Sequence, residues 1–320
     1  MPDRRNALAS RTGHGSDLTR GADVIQTMTQ DQSSLRRGVV LITLGIFCFT
    51  AMDAVAKALL QTYPTAEVVW ARFAGHLFFV ALYLRSRFVP SLVTGLPWWH
   101  VARSLTQLGA TVFFFLSLNY IGLAEATALA AISPLLITLG AGLFLGEALG
   151  LQRIIGVCVA LVGTLIVIRP GLDVFSPAAL LPLVCACCFA ANLLLTRLVG
   201  TRESPWASMI YAALSGTFLC SLVLPFYWQP VALADVPLFL ALGFLGAVAQ
   251  LLIIRAYSVA EAGAMAPFGY LDIVFATLWS VTLFGEHPDS FTIAGALVIV
   301  AAGLYVWRQE AFAAQPKPMV

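Results

Sequence analysis

Residues 38–60 read GVVLITLGIFCFTAMDAVAKALL, an apolar run that carries only two charges, at Asp53 and Lys57. An α-helix rises 1.5 Å per residue, so about 20 apolar residues cross the ~30 Å hydrocarbon core of a bilayer. The run is long enough for that crossing and contains no proline that would interrupt helical hydrogen bonding. It is therefore predicted to be a transmembrane helix.

Nine further apolar runs of similar length follow, separated by short linkers rich in proline and glycine. They lie near residues 66–84, 98–120, 124–145, 150–169, 176–198, 205–226, 236–257, 262–284 and 290–308. The whole chain is 60% hydrophobic and only 11% charged, and soluble proteins need more charge to cover their surface. The sequence predicts an all-α integral membrane protein with ten transmembrane helices and no soluble domain.

The distribution of arginine predicts the orientation. Residues 1–37 are polar and lack periodicity, so they are predicted to be a disordered cytoplasmic tail. Residues 309–320 are predicted to be a cytoplasmic tail at the other end of the chain. Arg169 is the arginine assigned to the opposite side, and cytoplasmic loops carry the excess of basic residues. Both termini are therefore predicted to be cytoplasmic, in the inner (plasma) membrane. The arginines on the predicted cytoplasmic side are Arg36, Arg37, Arg85, Arg87, Arg153, Arg202 and Arg308.

A short motif occurs twice. LFLGE at residues 143–147 and LFGE at residues 283–286 are followed by matching glycines, and Gly156 precedes Gly295 by 139 residues. The first copy falls in the fourth linker and the second in the ninth, on opposite sides of the membrane. Residues 38–169 and 176–308 are therefore predicted to be two five-helix repeats. Their topology is inverted because five is odd, and inverted repeats are typical of secondary transporters.

Charged residues inside the predicted spans are candidates for function, because each costs at least ~2.5–3.5 kcal/mol to insert. Asp53 and Lys57 are four residues apart on the first span, and Arg72 and His76 are four apart on the second. Asp53 can pair with either cation. The group is either an ion network that locks two helices together or a gate or anion subsite. His76 is either a proton carrier or a packed, hydrogen-bonded residue.

Asp272 lies ten residues into the ninth span, near the predicted midplane, with no cation one turn away in sequence. Pro267 precedes it and removes a backbone donor, which loosens the helix, and Pro134 is placed similarly in the fourth span. We expect Asp272 to face the solute. Arg255 either extends to the membrane interface or binds solute. The remaining substrate or coupling candidates are Tyr270, Arg103, Gln107 and Asn119.

Several other functional classes are disfavoured. The four histidines lie in unrelated places, the deep acids Asp53 and Asp272 lie at different predicted depths, and no GxxxxGK[ST] motif occurs. We expect no catalytic residue, no metal and no cofactor. The expected partners are a small-molecule solute and membrane lipid, without nucleic acid, in a monomer or homodimer.

The paired motifs, with Gln152-Arg153 after the first, resemble the drug/metabolite transporter superfamily in its ten-helix EamA-type branch, over roughly residues 38–308. Shorter matches resemble a group that contains riboflavin importers and S-adenosylmethionine transporters. Gly269 departs from that pattern, since some relatives have a basic residue there.

The resemblance implies a secondary transporter that moves a small organic metabolite across the inner membrane by alternating access. Riboflavin uptake is the first expectation. S-adenosylmethionine transport and amino-acid or metabolite efflux are the alternatives, and a polytopic membrane enzyme is a more distant one. The shorter matches are Met52-Asp53 with Lys57, Trp70 with Arg72-Phe73, Arg103, Arg255 to Ser258, and Ala266 to Asp272.

Overall fold

The computed structural model describes residues 13–145, 151–169, 176–199, 205–259 and 266–313. Within these ranges the chain is helical and contains no strand. The helices of the first half are α1 (Gly13–Leu60), α2 (Thr65–Leu84), α3 (Pro97–Ser117), α4 (Leu123–Ala130), α5 (Ser133–Leu145) and α6 (Leu151–Ile168). Those of the second half are α7 (Leu181–Val199), α8 (Pro205–Val223), α9 (Val236–Val259), α10 (Leu271–Phe284) and α11 (Ser290–Ala313). Short 3-10 turns occupy Arg85–Arg87, Pro90–Leu92, Pro177–Leu180, Leu224–Phe226 and Ala266–Tyr270.

These helices make ten membrane crossings. Seven helical segments in the described residues are long and apolar enough to span a bilayer, and two shorter apolar helices, Ile154–Ile168 and Phe268–Phe284, accompany them. The 21-residue α3 supplies the tenth. Large apolar side chains such as Phe78, Phe144 and Leu165 are exposed on the outer surfaces of the bundle, and such a surface is stable in lipid rather than in water. The chain is a multi-pass membrane protein.

The fourth span of each half is not a continuous α-helix over its described residues. In the first half α4 ends at Ala130 and α5 begins at Ser133, immediately before Pro134. In the second half the 3-10 turn Ala266–Tyr270, which contains Pro267, precedes α10. Proline has no backbone N–H and clashes with the preceding turn, so it interrupts the α-helix at both places. The two broken spans contact each other through α4 and α10.

The helix contacts repeat under exchange of the halves. If α1, α2 and α3 correspond to α7, α8 and α9, the contact of α1 with α9 matches that of α3 with α7. In the same way the contact of α2 with α9 matches that of α3 with α8. The crossings of α2 with α8 and of α6 with α11 join corresponding helices. The halves are therefore interleaved about a pseudo-two-fold axis.

Glycines on α6 and α11 show the direction of that axis. A Cβ atom added to Gly163 would lie 2.9 Å from the Gly295 carbonyl oxygen, and one added to Gly156 would lie 3.7 Å from the Ala302 carbonyl oxygen. Position numbers rise along α6 while they fall along α11, so the helices are antiparallel. The 139-residue offset converts the pair Gly156–Ala302 into the pair Gly295–Gly163. An axis that exchanges two antiparallel helices is perpendicular to them and lies in the membrane plane, which makes the repeats inverted.

The first helix differs from the sequence prediction. It begins at Gly13, so helix occupies much of the segment that was predicted to be a disordered tail. No proline lies between Gly13 and Leu60, so nothing in this stretch interrupts the helical hydrogen bonds that continue from the membrane span. Residues 1–12 and 314–320, the outer parts of the two predicted tails, lie outside the described residues.

Candidate functional site

An ion pair between a buried lysine and an accessible glutamate joins the two halves where α1 ends. The Lys57 Nζ atom donates to both carboxylate oxygens of Glu286, at 2.6 and 2.5 Å, and lies 3.5 Å from the Ile121 carbonyl oxygen. The lysine side chain is 6% exposed and that of Glu286 is 40% exposed. The Ser280 hydroxyl donates to the same carboxylate at 3.1 Å. We name this side of the bundle the Glu286 end.

A polar cavity of about 320 Å³ adjoins the ion pair. The α3–α4 connection forms one of its walls, and there a Cβ atom on Gly122 would lie 3.3 Å from Glu286 Oε2. Asn119 lines the cavity and donates to the Thr65 hydroxyl at 3.1 Å. The cavity therefore offers amide, ammonium and carboxylate groups together. Its lining residues are Lys57, Leu60, Gln61, Leu118, Asn119, Tyr120, Ile121, Gly122 and Glu286.

Further contacts between the halves lie at the same end. Arg169, which follows α6, forms an ion pair with Asp289 before α11. Partial burial raises the pKa of Asp289, but hydrogen bonds from Thr292 and Arg169 outweigh it and leave that pKa below its usual value. The Tyr63 hydroxyl donates to Asp235 at 2.7 Å. The halves are thus held together at several points of the Glu286 end.

A second group of charges lies deeper in the bundle. Asp53 is one turn before Lys57 on α1 and only 5% exposed. Its Oδ1 atom has no hydrogen-bond partner among the described residues. Asp53 interacts electrostatically with Arg72 of α2 and Asp272 of α10, although none of the ion pairs within 4 Å in the described residues joins it to Arg72. Two carboxylates and one guanidinium from both halves therefore share a buried region, which we name the central site.

Aromatic rings surround the guanidinium of the central site. The Arg72 Cζ atom lies 5.4 Å from the ring centroid of Phe49, 5.3 Å from that of Phe115 and 5.7 Å from that of Phe73. Arg72 also donates to the Thr111 hydroxyl at 2.7 Å. Cation–π contacts of this kind stabilise a desolvated cation. They hold Arg72 in place while its charge stays available to Asp53 or to a bound anion.

Asp272 occupies the second position of α10, directly after the 3-10 turn. Its side chain is half-buried, so it is more accessible than Asp53. The neighbouring Tyr270 packs its hydroxyl against α11 at Gly303, where an added Cβ would overlap it. The 3-10 turn thus places the Tyr270 ring against α11 of the same half, while Asp272 interacts electrostatically with Asp53 of the first half.

Of the remaining predicted site residues, some lie near the central site and others lie toward the ends of the bundle. His76 lies one turn from Arg72, interacts with it electrostatically, and its Nε2 atom lacks a hydrogen-bond partner in the described part of the chain. Arg103 and Gln107 lie on α3, where their carbonyls accept hydrogen bonds from Asn192 and Thr111. Arg255 is exposed at the opposite end and donates to the Tyr83 hydroxyl at 2.8 Å.

The predicted grouping of Asp53, Lys57 and Arg72 is divided in the structure. Lys57 pairs with Glu286 and not with Asp53, because its long stem reaches the connection after α10. Sequence reasoning used Glu286 to recognise the repeat and missed it as an ion partner. The inverted repeat would have indicated the pairing, because it places this Gly-Glu motif at the end of the bundle where α1 finishes.

The comparisons with known proteins agree with the fold. A model of the EamA-like transporter family matches the chain twice, at residues 36–169 and 176–308. The pseudopaline exporter CntI of Pseudomonas aeruginosa is 30% identical over 281 residues, which cover 86% of this chain and 98% of that protein. A riboflavin transporter of Rhizobium johnstonii is 28% identical and covers 85% and 91%.

An S-adenosylmethionine uptake transporter of Rickettsia bellii is 27% identical, over 85% of this chain and 94% of the relative. A crystal structure that is 19% identical superposes with a TM-score of 0.62 over 89% of this chain and 100% of its own, which supports the fold alone. The family match extends over both halves, and the relatives named here are transporters of small molecules. The chain belongs to the EamA-like transporter family, whose members carry solutes across membranes.

Proposed function

We propose that the protein is a secondary transporter that moves a zwitterionic, S-adenosylmethionine-like metabolite by alternating access. The observation that carries the proposal is the central site, where Asp53 of the first half interacts electrostatically with Arg72 and with Asp272 of the second half. With all three groups ionised the site has one net negative charge. A solute with one carboxylate and two cationic groups complements it, since the guanidinium binds the carboxylate and the two acids bind the cations. S-adenosylmethionine has this set of charges, with an ammonium, a sulfonium and a carboxylate.

Alternating access follows from the arrangement of the repeats. Inverted halves that meet at broken helices can rock about a central site and expose it to each side in turn. In this protein α4 and α10, which flank the two breaks, contact each other. Arg36, Arg37 and the turn Arg85–Arg87 carry positive charge at the end opposite Glu286. By the positive-inside rule we assign that end to the cytoplasm and the Glu286 end to the outside of the inner membrane.

Riboflavin uptake, the first expectation from the sequence, is the second candidate. Aromatic rings suit a planar ring system, and Phe47 and Trp279 lie 5.2 Å apart between α1 and α10. Riboflavin is uncharged, however, and would leave the central site with two carboxylates and a single guanidinium to compensate them. Buried charges without partners are costly, so the charge pattern favours the zwitterion.

The test is uptake of radiolabelled S-adenosylmethionine and riboflavin by cells that express the protein, with both termini located by reporter fusions. We expect saturable uptake of S-adenosylmethionine that excess unlabelled riboflavin does not reduce. Fusions after Tyr63 and Gln229 should report the outside, and those after Arg87 and Arg202 the cytoplasm. Riboflavin uptake without S-adenosylmethionine uptake would reverse the order of the two candidates. Uptake of neither would refute the proposed solute class.

A further inference from the structure

The ion pair at the Glu286 end combines a buried cation with an accessible anion. Lys57 is almost completely enclosed, whereas Glu286 borders the polar cavity. The pair joins α1 of the first half to the connection between α10 and α11 of the second half. Any movement that separates the halves at this end has to pull the two charges apart.

Separation without a replacement partner is unfavourable for Lys57 in particular. Once Glu286 leaves, the ammonium retains the Ile121 carbonyl at 3.5 Å and the Phe284 ring at 5.1 Å. Glu286 keeps the Ser280 hydroxyl and is open to water. Breaking a buried pair is costly because one charge is left uncompensated. The closed arrangement of this end is therefore stabilised chiefly by the need of Lys57 for an anion.

A solute can supply both replacements only if it carries both charges. A carboxylate can take the place of Glu286 at Lys57, and an ammonium can take the place of Lys57 at Glu286. A neutral solute replaces neither charge, and a singly charged one leaves the other charge unpaired. Gln61 and Asn119, which line the same cavity, can hydrogen-bond the carboxylate and ammonium of an α-amino acid group.

We infer that the cavity at the Glu286 end is a capture site for the α-amino-carboxylate group of the solute, which opens this end by exchanging partners with Lys57 and Glu286. The inference rests on the proposed solute class. It adds where the solute first binds to the protein and what that binding causes. Discrimination between zwitterions and neutral solutes then begins at the outer surface, before the solute reaches Asp53 and Asp272.

Cys185 provides a reporter that does not depend on transport. It is 9% exposed and interacts electrostatically with Asp53, Arg72 and Asp272, so we expect external reagents to reach it only when the Glu286 end opens. The experiment uses the full chain with its other five cysteines replaced by alanine, in intact cells, with a membrane-impermeant maleimide. The probes are S-adenosylmethionine and 5′-methylthioadenosine, which keeps the nucleoside and lacks the amino-acid group.

We expect S-adenosylmethionine to accelerate labelling of Cys185 about tenfold and 5′-methylthioadenosine to leave it unchanged, because only the zwitterion offers a carboxylate to the buried Lys57 and an ammonium to Glu286. The double variant Lys57→Met, Glu286→Gln should label fast without any solute and gain nothing from it. Asp289→Asn breaks the Arg169–Asp289 ion pair of the same end and should keep the response to the zwitterion. Asn119→Cys lines the cavity and should label in every variant.

Several outcomes overturn the inference. Equal acceleration by the two probes would show that the amino-acid group is not what opens this end. A double variant that labels slowly and still responds to S-adenosylmethionine would remove Lys57 and Glu286 from the exchange. Unlabelled Asn119→Cys would place this end on the wrong side of the membrane. Uptake assays separate the two proposals: transported S-adenosylmethionine without accelerated labelling refutes the capture site alone. If the unmodified protein takes up no S-adenosylmethionine while the double variant labels fast, the solute class alone is refuted.

Discussion

The crossing of α2 and α9 gives a sharp prediction, because two glycines meet there backbone to backbone. A Cβ atom on Gly243 would lie 2.5 Å from the Gly75 Cα atom, 2.7 Å from its carbonyl carbon and 3.2 Å from the His76 amide nitrogen. None of these atoms belongs to a side chain that can rotate away. Gly243→Ala therefore has to push the helices apart until these contacts approach 3.4 Å, the lower limit of ordinary van der Waals contact.

The magnitude follows from two opposing effects. Overpacking of a tight interior costs about 1–3 kcal/mol, while alanine gains at most about 1 kcal/mol over glycine in helix propensity. We expect Gly243→Ala to lower the free energy of unfolding by about 1–2 kcal/mol. The displaced α2 carries Arg72, so uptake per folded molecule should fall as well.

The measurement is unfolding of purified protein in mixed micelles, together with uptake normalised to folded protein. Gly269→Ala is the matched control, because among the described residues no atom beyond its chain neighbours lies within 4 Å of the added Cβ, and it should change the unfolding free energy by less than about 0.5 kcal/mol. If Gly243→Ala proved as stable and as active as Gly269→Ala, the close approach of α2 and α9 would be wrong.

Three further predictions concern the central site. Asp272→Asn should insert normally and lose most S-adenosylmethionine uptake per molecule at the membrane, since it removes a charge and keeps the shape; uptake close to that of the unmodified protein would exclude Asp272 from the site. The effects of Asp53→Asn and Arg72→Gln on the unfolding free energy should be non-additive by about 0.5–3 kcal/mol, because each single change leaves the other charge uncompensated. Strict additivity would mean that the two groups are not coupled. Arg72→Lys keeps the charge but loses planar contact with Phe49 and Phe115, so we expect a loss of up to about 2 kcal/mol in stability and reduced uptake. The control Arg255→Lys, at an exposed arginine, should change neither stability nor uptake.

The spans could be predicted from sequence because apolar runs of about 20 residues leave few alternatives. Pro134 and Pro267 indicated where the fourth span of each half is weakened, since the effect of proline on a helix is local. The offset between Gly156 and Gly295 likewise predicted the inverted repeat that the α6–α11 contact displays.

The partners of the buried charges could not be predicted in the same way. Lys57 and Glu286 are 229 residues apart, and which helix end meets which depends on how the halves interleave. Asp53 and Lys57 share a helical face by their spacing, yet the lysine turns to a loop carboxylate. The aromatic environment of Arg72 draws rings from α1, α2 and α3, and this combination leaves no pattern within any one helix.

The glycine contacts between α6 and α11 form a surface that is complementary to itself. The contact of Gly156 with Ala302 recurs as that of Gly295 with Gly163, with the two helices exchanged. This is the arrangement of an isologous interface in a two-fold dimer. A polypeptide that contained one half alone would present the same surface to a second copy. Because the two-fold axis lies in the membrane plane, that copy would have to be inserted upside down. Fusion of the halves into a single chain removes this requirement, since an odd number of crossings delivers the second half already inverted beside the first.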